Sequence, residues 1–183
     1  LSNWKGLAGP NAARNGLVAA LLAREGVSGP PEPFEGKAGF MEQLGARFTL
    51  GALGGEGRPF KVEQVCLKYL PVMYSIQLPI WTAIELRKQV SIDDIASITG
   101  YVDAHVARND AFAPQRKRPT NRETADHSGP YLIAAALVDG EISERTMTPE
   151  RYCDPTILSI AEHIEMKEDA RYTKTWPDTL TCR

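Results

Sequence analysis

The chain has 183 residues, of which 43% are apolar, enough to bury a hydrophobic core in one or two small domains. Its formal charge is −2 and its pI is about 6.0, so no overall basic field attracts nucleic acid or an anionic membrane. No apolar run reaches the roughly 18 to 20 residues that span a bilayer, and the first residues match neither a signal nor a transit peptide. These features predict a soluble, cytoplasmic protein.

The cysteines Cys66, Cys153 and Cys182 are far apart and lack the spacing of a zinc or iron–sulfur site. We therefore expect no metal and no other cofactor. Leu1 is not an initiator residue, and the last residues stop within a predicted strand, so we expect a part of a longer polypeptide.

In the first part of the chain, apolar residues at helical spacing predict an amphipathic helix over 11–24 that Gly26 ends. Prolines in 29–33 then break regular structure, which favours a boundary there. A short helix around 40–44 and a glycine-rich loop over 51–57 follow; the loop lacks the pattern of a phosphate-binding loop.

The remaining elements follow from alternation, helical spacing, prolines and glycines. They are strands over 61–70, 95–106, 164–167 and 180–183, and helices over 79–88, 126–137 (ended by Asp139 and Gly140) and 155–163. Strands and helices without regular alternation favour an α+β fold over a doubly wound sheet.

Two lysines are candidates for binding an anionic substrate. Lys5 lies beside Trp4 ahead of the first predicted helix, and Lys68 lies beside Tyr69 near the end of a predicted strand. Two ammonium groups at the ends of elements can converge on a polycarboxylate without a metal. Each lysine taken alone is typical of a protein surface.

The polar segment 121–131 enters the apolar run 132–138 and contains His127, Ser128 and Tyr131. An imidazole transfers protons near neutral pH, and a phenol donates to a developing oxyanion. The alternative is structural: Thr124 or Asp126 caps the helix, and His127 packs in its first turn. His105 and His163 are interpreted as structural residues on a strand face and at a helix end.

Other chemistries fit less well. A Ser-His-Asp hydrolase lacks its Gly-x-Ser-x-Gly turn, and Cys66 lacks a cationic helix start to activate it. The basic run 116–118 has no aromatic neighbours for base stacking, so it is interpreted as a solvated loop, with anion contact as the alternative.

Five blocks of sequence carry a family resemblance. WKGLAGPNAARNG at 4–16, GPPEPFEG at 29–36 with Phe40, LKYLPV at 67–72, RETADHS at 122–128 with Tyr131, and LVDG at 137–140 resemble the MmgE/PrpD family in the family's order. The blocks extend over nearly the whole chain.

The resemblance implies an enzyme family that includes 2-methylcitrate dehydratase, cis-aconitate decarboxylase and iminodisuccinate epimerase, which act on di- and tricarboxylates without an iron–sulfur cluster. It implies a large all-helical domain and a smaller α+β lid domain, dimers, and a site between the domains. Residues 1–35 would end a segment of the helical domain, and 36–183 would form most of the lid, both incomplete.

By the same resemblance, Lys5 and Lys68 correspond to substrate-facing lysines, and Tyr131, with His127 beside it, corresponds to the site tyrosine; Ser128 is a further substrate-binding candidate. Two features depart from the family. Where its members often have Cys or Glu and then Tyr-His after the Lys68 block, this chain has Met73, Tyr74 and Ser75. The family's upstream half is also missing, so we expect the chain alone to be inactive.

The best single hypothesis is part of a metal-independent lyase that dehydrates 2-methylcitrate, as a homodimer through the parent chain or in association with the missing N-terminal half. Ser75 in place of a histidine favours, as the alternative, an epimerase or decarboxylase acting on a related acid. A non-catalytic binding module is the third possibility.

Overall fold

The computed structural model describes residues 2, 4–51, 54–55, 57–179 and 182–183. Internal contacts divide the chain into two compact units, Trp4–Leu67 and Lys68–Arg183. The expected domain boundary after residue 35 concerns the longer polypeptide and stays a prediction.

Helix α1 (Trp4–Arg24) dominates the unit Trp4–Leu67. It confirms the predicted helix but begins at Trp4 instead of Asn11, because Pro10 removes one backbone hydrogen bond without ending the helix. Gly26, with φ of 91°, follows its end as expected. None of the residues of α1 is buried within this unit.

The rest of this unit is short elements around an aromatic cluster. Helix α2 (Phe40–Leu44) confirms the predicted short helix, and the Phe40 ring makes edge-on contacts with Phe34 and Phe48, both at 6.3 Å between centroids. The predicted strand over 61–70 is wrong. A 3-10 turn occupies Lys61–Gln64. The apolar residues that would lie on either face of a strand here, among them Val62 and Val65, are exposed, so neither face is buried.

The unit Lys68–Arg183 combines helices with a small parallel sheet. Its helices are α3 (Gln77–Leu86), α4 (Ala104–Ala107), α5 (Arg122–Ala125), α6 (Gly129–Asp139), α7 (Pro149–Tyr152), α8 (Pro155–Glu162) and α9 (Ala170–Thr173), and its strands are β1 (Ile98–Val102) and β2 (Ile164–Glu168). Turns of 3-10 helix lie at Tyr74–Ile76, Ile92–Asp94, Asp110–Phe112, Pro114–Arg116 and Glu144–Met147. This mixture confirms the α+β class.

Helix α6 is the centre of the core. Its residues from Gly129 to Leu137 are buried, and it packs between α3 and α8. A helix that is apolar on every side is stable only when it is covered on every side, which explains the uninterrupted apolar sequence. Gly140 ends it with φ of 77°, and the Arg87 guanidinium donates to the carbonyl oxygen of Leu137 at 2.7 Å.

Strands β1 and β2 pair in parallel, with Ile98 opposite Ile164. The strand predicted over 95–106 stops early because Asp103 caps α4, accepting from the N–H groups of His105 and Val106 at 2.8 and 3.2 Å. His105 is therefore on a helix, and the expectation that it lies on a strand face is wrong; its ring stacks on Trp176.

The helices predicted over 79–88 and 155–163 correspond to α3 and α8, and the strand predicted over 164–167 corresponds to β2. The strand predicted over 180–183 lies partly outside the described residues. At its end, Arg183 and Tyr101 exchange two backbone hydrogen bonds of 2.7 and 3.0 Å, on the edge of β1 away from β2. None of the described helices is long and apolar enough to cross a membrane.

Candidate functional site

A short turn joins α5 to α6, and each of the two helices begins with a side-chain cap. The Asn121 side chain accepts from the N–H of Thr124 at 2.9 Å, and the Thr124 hydroxyl accepts from the N–H of Asn121 at 2.9 Å. Ser128 caps α6 by accepting from the N–H of Tyr131 at 3.1 Å. The expectation that Thr124 or Asp126 caps this helix is therefore wrong, since Thr124 belongs to the cap of α5.

His127 lies in this turn with its ring held by two oxygens. Its Nδ1 is 3.0 Å from the carbonyl oxygen of Glu123 and contacts the carboxylate of Asp126, and the side chain is 14% exposed. A carbonyl oxygen only accepts hydrogen bonds, so Nδ1 carries the proton in the neutral ring. Nε2 is then the nitrogen that takes up a proton, and the carboxylate orients the ring for this role.

The same turn is a possible place for a metal ion. Glu123, Asp126 and His127 each offer a ligand atom within 4.8 Å of the others. The imidazole and carboxylate of the last two already contact each other, so an ion bound through those atoms has to replace that contact. The expectation of no metal and no cofactor stays a prediction.

Tyr131 is buried in the first turn of α6. Its hydroxyl donates to the carbonyl oxygen of Thr146 at 2.5 Å. Burial raises the pKa of the phenol above its ordinary value, and the positive charge of Arg151 opposes part of that shift. The phenol has one proton, and that proton is in the hydrogen bond to Thr146. Tyr131 can donate it to a substrate only after this hydrogen bond is broken. The catalytic role of Tyr131 stays a prediction.

Ser128 is also buried. Its hydroxyl donates to the carbonyl oxygen of Arg116 at 2.5 Å and accepts from the backbone of Tyr131. Both hydrogen bonds stabilise the start of α6. The role of Ser128 in substrate binding stays a prediction.

Lys68 is exposed, in a segment whose path is fixed. The side-chain oxygen of Gln77 accepts from the N–H groups of Tyr69 and Leu70, at 2.9 Å each. The ring of Tyr69 packs edge-on against Trp81, with 4.8 Å between centroids. These contacts hold the backbone that follows Lys68, so the residue after the lysine has a defined position.

A backbone hydrogen bond brings the segment of Lys68 to the turn of His127. The N–H of Met73 donates to the carbonyl oxygen of Asp126 at 3.1 Å. Two of the residues selected from the sequence, Lys68 and His127, therefore lie on segments that are in direct contact. This contact could not be predicted from local sequence patterns, because 53 positions separate the donor and acceptor.

The departure from the family at Ser75 has a structural counterpart. The Ser75 hydroxyl accepts from the side-chain amide of Asn109 at 3.2 Å. A hydroxyl held in this way does not transfer protons near neutral pH as an imidazole does. An imidazole is present instead at His127, in the turn that accepts the hydrogen bond from Met73.

Lys5 lies near the start of α1, in the other unit, and is exposed there. Convergence of Lys5 with Lys68 on one substrate stays a prediction.

The sequence did not predict a cavity of about 230 Å³ near the end of α6. Its lining residues are Asp139, Glu141, Ser143, Arg145, Thr146 and Arg151. Arg151 contacts Asp139 and donates to Asp154 at 2.7 Å, which fixes one wall. The signals available in the sequence were the glycine after Asp139 and the Ser-x-x-Thr cap that follows it.

The basic run 116–118 is tied to neighbouring elements. Arg116 pairs with Asp110, Lys117 donates to the carbonyl oxygen of Glu162 at 2.5 Å, and Arg118 donates to the Glu162 carboxylate at 2.6 Å. Arg116 and Lys117 are half-buried, so the interpretation as a solvated loop is confirmed for the exposed Arg118 and wrong for the other two residues. These contacts also leave less of each charge for an external anion.

Comparison with known proteins agrees with the ordered sequence blocks. Residues 70–182 match the MmgE/PrpD C-terminal domain, and residues 1–51 match the MmgE/PrpD N-terminal domain. The chain is similar to a mitochondrial 2-methylcitrate dehydratase of Yarrowia lipolytica, with 27% identity over 182 residues. That alignment covers 94% of this chain and 34% of the relative, so the chain spans about a third of that protein's length. The chain belongs to the MmgE/PrpD family.

Proposed function

We propose that the chain is part of a lyase that acts on a small di- or tricarboxylate, and that 2-methylcitrate dehydration is its reaction. The observation that most supports this proposal is the hydrogen bond from Met73 to Asp126, which joins the segments of Lys68 and His127. The similarity to a 2-methylcitrate dehydratase supports the choice of acid.

The chemistry needs a base, a positive charge and an acid. The base removes a proton from the carbon next to a carboxylate, and the electron pair left behind moves onto the carboxylate oxygens. The hydroxyl group on the adjacent carbon takes a proton from the Tyr131 phenol, the acid in this proposal, once its hydrogen bond to Thr146 is released. It leaves as water, and a carbon–carbon double bond forms. In this proposal Nε2 of His127 is the base, and the ammonium of Lys68 stabilises the doubly negative carboxylate.

Lys5 supplies a second ammonium group in this proposal, from the unit Trp4–Leu67. The lid-type arrangement of domains, homodimer formation, association with an N-terminal half and a cytoplasmic location are further parts of the same proposal. The exposed apolar residues of α1, among them Leu17 and Leu21, support a partner surface in the complete protein.

The test is turnover of 2-methylcitrate by the complete polypeptide encoded by the reading frame. Formation of the unsaturated acid, which is measured by its absorbance, supports the proposal. The absence of turnover with every citrate-like acid tried contradicts it. Lys88→Ala is the matched control for Lys68→Ala, because Lys88 is an exposed lysine that pairs with Glu85.

Ser75 favours a second candidate, an epimerase or decarboxylase on a related acid. Without an imidazole at that position, removal and return of a proton at one carbon needs fewer groups than expulsion of a hydroxyl. NMR in deuterated water separates the reactions: epimerisation exchanges the hydrogen and forms no alkene, whereas decarboxylation releases CO₂. A non-catalytic binding module is the third candidate, and in that case Lys68→Ala leaves the activity of the parent protein unchanged.

A further inference from the structure

The cavity near the end of α6 has an uncommon arrangement of charge. Two of its charged groups, Asp139 and Arg151, form an ion pair with each other. Among the residues that the structure describes, the guanidinium of Arg145 and the carboxylate of Glu141 have no ion-pair partner and do not pair with each other. One positive and one negative group at a single cavity are therefore available to a ligand.

The frame around these two groups is rigid. The Thr146 hydroxyl accepts from the N–H of Ser143 at 3.2 Å, and the N–H of Thr146 donates to the carbonyl oxygen of Ser143 at 3.1 Å, so both ends of the turn that carries Arg145 are held. The carbonyl oxygen of Thr146 accepts a hydrogen bond from the buried hydroxyl of Tyr131. Such a turn holds a binding group in place before the ligand arrives, which lowers the entropy cost of binding.

The size and charge of the cavity select the ligand. About 230 Å³ is less than the roughly 300 Å³ at which pockets for drug-sized molecules begin, so the ligand is small. A dicarboxylate would place negative charge beside Glu141 and Asp139, whereas a molecule with both charges complements both groups. A guanidinium binds a carboxylate through two parallel hydrogen bonds, and a carboxylate accepts from an ammonium group.

We propose that this cavity binds a small zwitterionic α-amino acid, with its carboxylate on Arg145 and its ammonium on Glu141. The Ser143 hydroxyl, which also lines the cavity, donates a further hydrogen bond to the ligand carboxylate. The site is separate from the lysine and histidine residues of the proposed lyase and does not depend on that activity.

The test is an NMR titration of the ¹⁵N-labelled chain with L-alanine, and in parallel with acetate and methylammonium, which carry one charge each. We expect saturable shifts at residues 141–146 with L-alanine, and affinity at least about tenfold lower for either half-ligand. Arg145→Ala and Glu141→Gln should each weaken L-alanine binding by about tenfold or more. Glu144→Gln is the matched control, because this exposed carboxylate does not line the cavity.

Three results would overturn the proposal: no saturable binding of L-alanine to the wild-type chain, acetate binding as tight as that of L-alanine, or unchanged binding in either cavity variant. Both substituted side chains are exposed, so loss of the fold does not explain a loss of binding. An unchanged amide spectrum away from residues 141–146 checks this directly.

Discussion

The backbone N–H of Met73 donates a 3.1 Å hydrogen bond to the carbonyl oxygen of Asp126. This bond joins the segment that carries Lys68 to the turn that carries His127. The segments that carry the ammonium and imidazole groups of the proposed lyase are therefore in contact, although they are distant in the sequence.

Met73→Pro tests that contact with little change in backbone conformation. Met73 has φ of −56°, close to the angle that proline requires, so the substitution removes the N–H donor with little strain at that angle. We expect Met73→Pro to lower the free energy of unfolding by about 1 to 2 kcal/mol beyond Met73→Ala, which keeps the donor. Urea denaturation of the two variants measures the difference, and equal stabilities would contradict the structural role of the bond.

Tyr131→Phe tests the hydroxyl that reaches Thr146. The substitution leaves a buried carbonyl oxygen without its donor, so we expect a loss of about 1 to 3 kcal/mol in the free energy of unfolding. Tyr152→Phe is the control, since Tyr152 is half-buried and, within the described part of the chain, its hydroxyl makes no hydrogen bond. A loss of similar size in both variants would show that the bond to Thr146 is not the cause.

The same phenol predicts a dependence of stability on alkaline pH. Burial raises the pKa of Tyr131 in the folded chain above its ordinary value of 10.0, so the unfolded chain loses this proton first. The stabilising contribution is fully present below pH 10.0 and is lost as the pH rises above it. Denaturation between neutral and alkaline pH should show a steeper decline for the wild type than for Tyr131→Phe, and parallel declines would contradict the shift.

Gly129→Ala tests the packing at the start of α6. A Cβ atom at Gly129 would lie less than 3.0 Å from three atoms of the Phe112 ring. We expect a loss of about 1 to 3 kcal/mol in the free energy of unfolding from overpacking, with partial recovery in the double variant that also carries Phe112→Leu. Additive effects of the two substitutions in denaturation experiments would argue against a direct clash.

Sequence patterns predicted the core better than the peripheral elements. The apolar run after Ser128 and the glycine at 140 indicated α6, because propensity, caps and burial agree there. The strand predicted over 61–70 failed because alternation alone does not supply a partner strand. The strand predicted over 95–106 was too long because Asp103 offers its carboxylate to the next two free N–H groups.

The candidate site was only partly predictable. Lys68 and His127 could be selected by residue type and family resemblance, but the contact between their segments is a tertiary feature. The cavity was missed because one of its walls is the ion pair between Asp139 and Arg151. These residues are in different helices, with a turn of 3-10 helix between them in the sequence. A pattern of local spacing does not show which of several charges remain available after such pairs form.

The most direct test of the lyase proposal is the turnover of 2-methylcitrate by the complete polypeptide with Lys68→Ala. Loss of the ammonium that stabilises the developing charge should lower kcat by about 10² to 10³-fold. Lys88→Ala should leave turnover at the wild-type rate, because that lysine pairs with Glu85 on the surface. Wild-type turnover in Lys68→Ala would contradict the proposed role of Lys68 in catalysis.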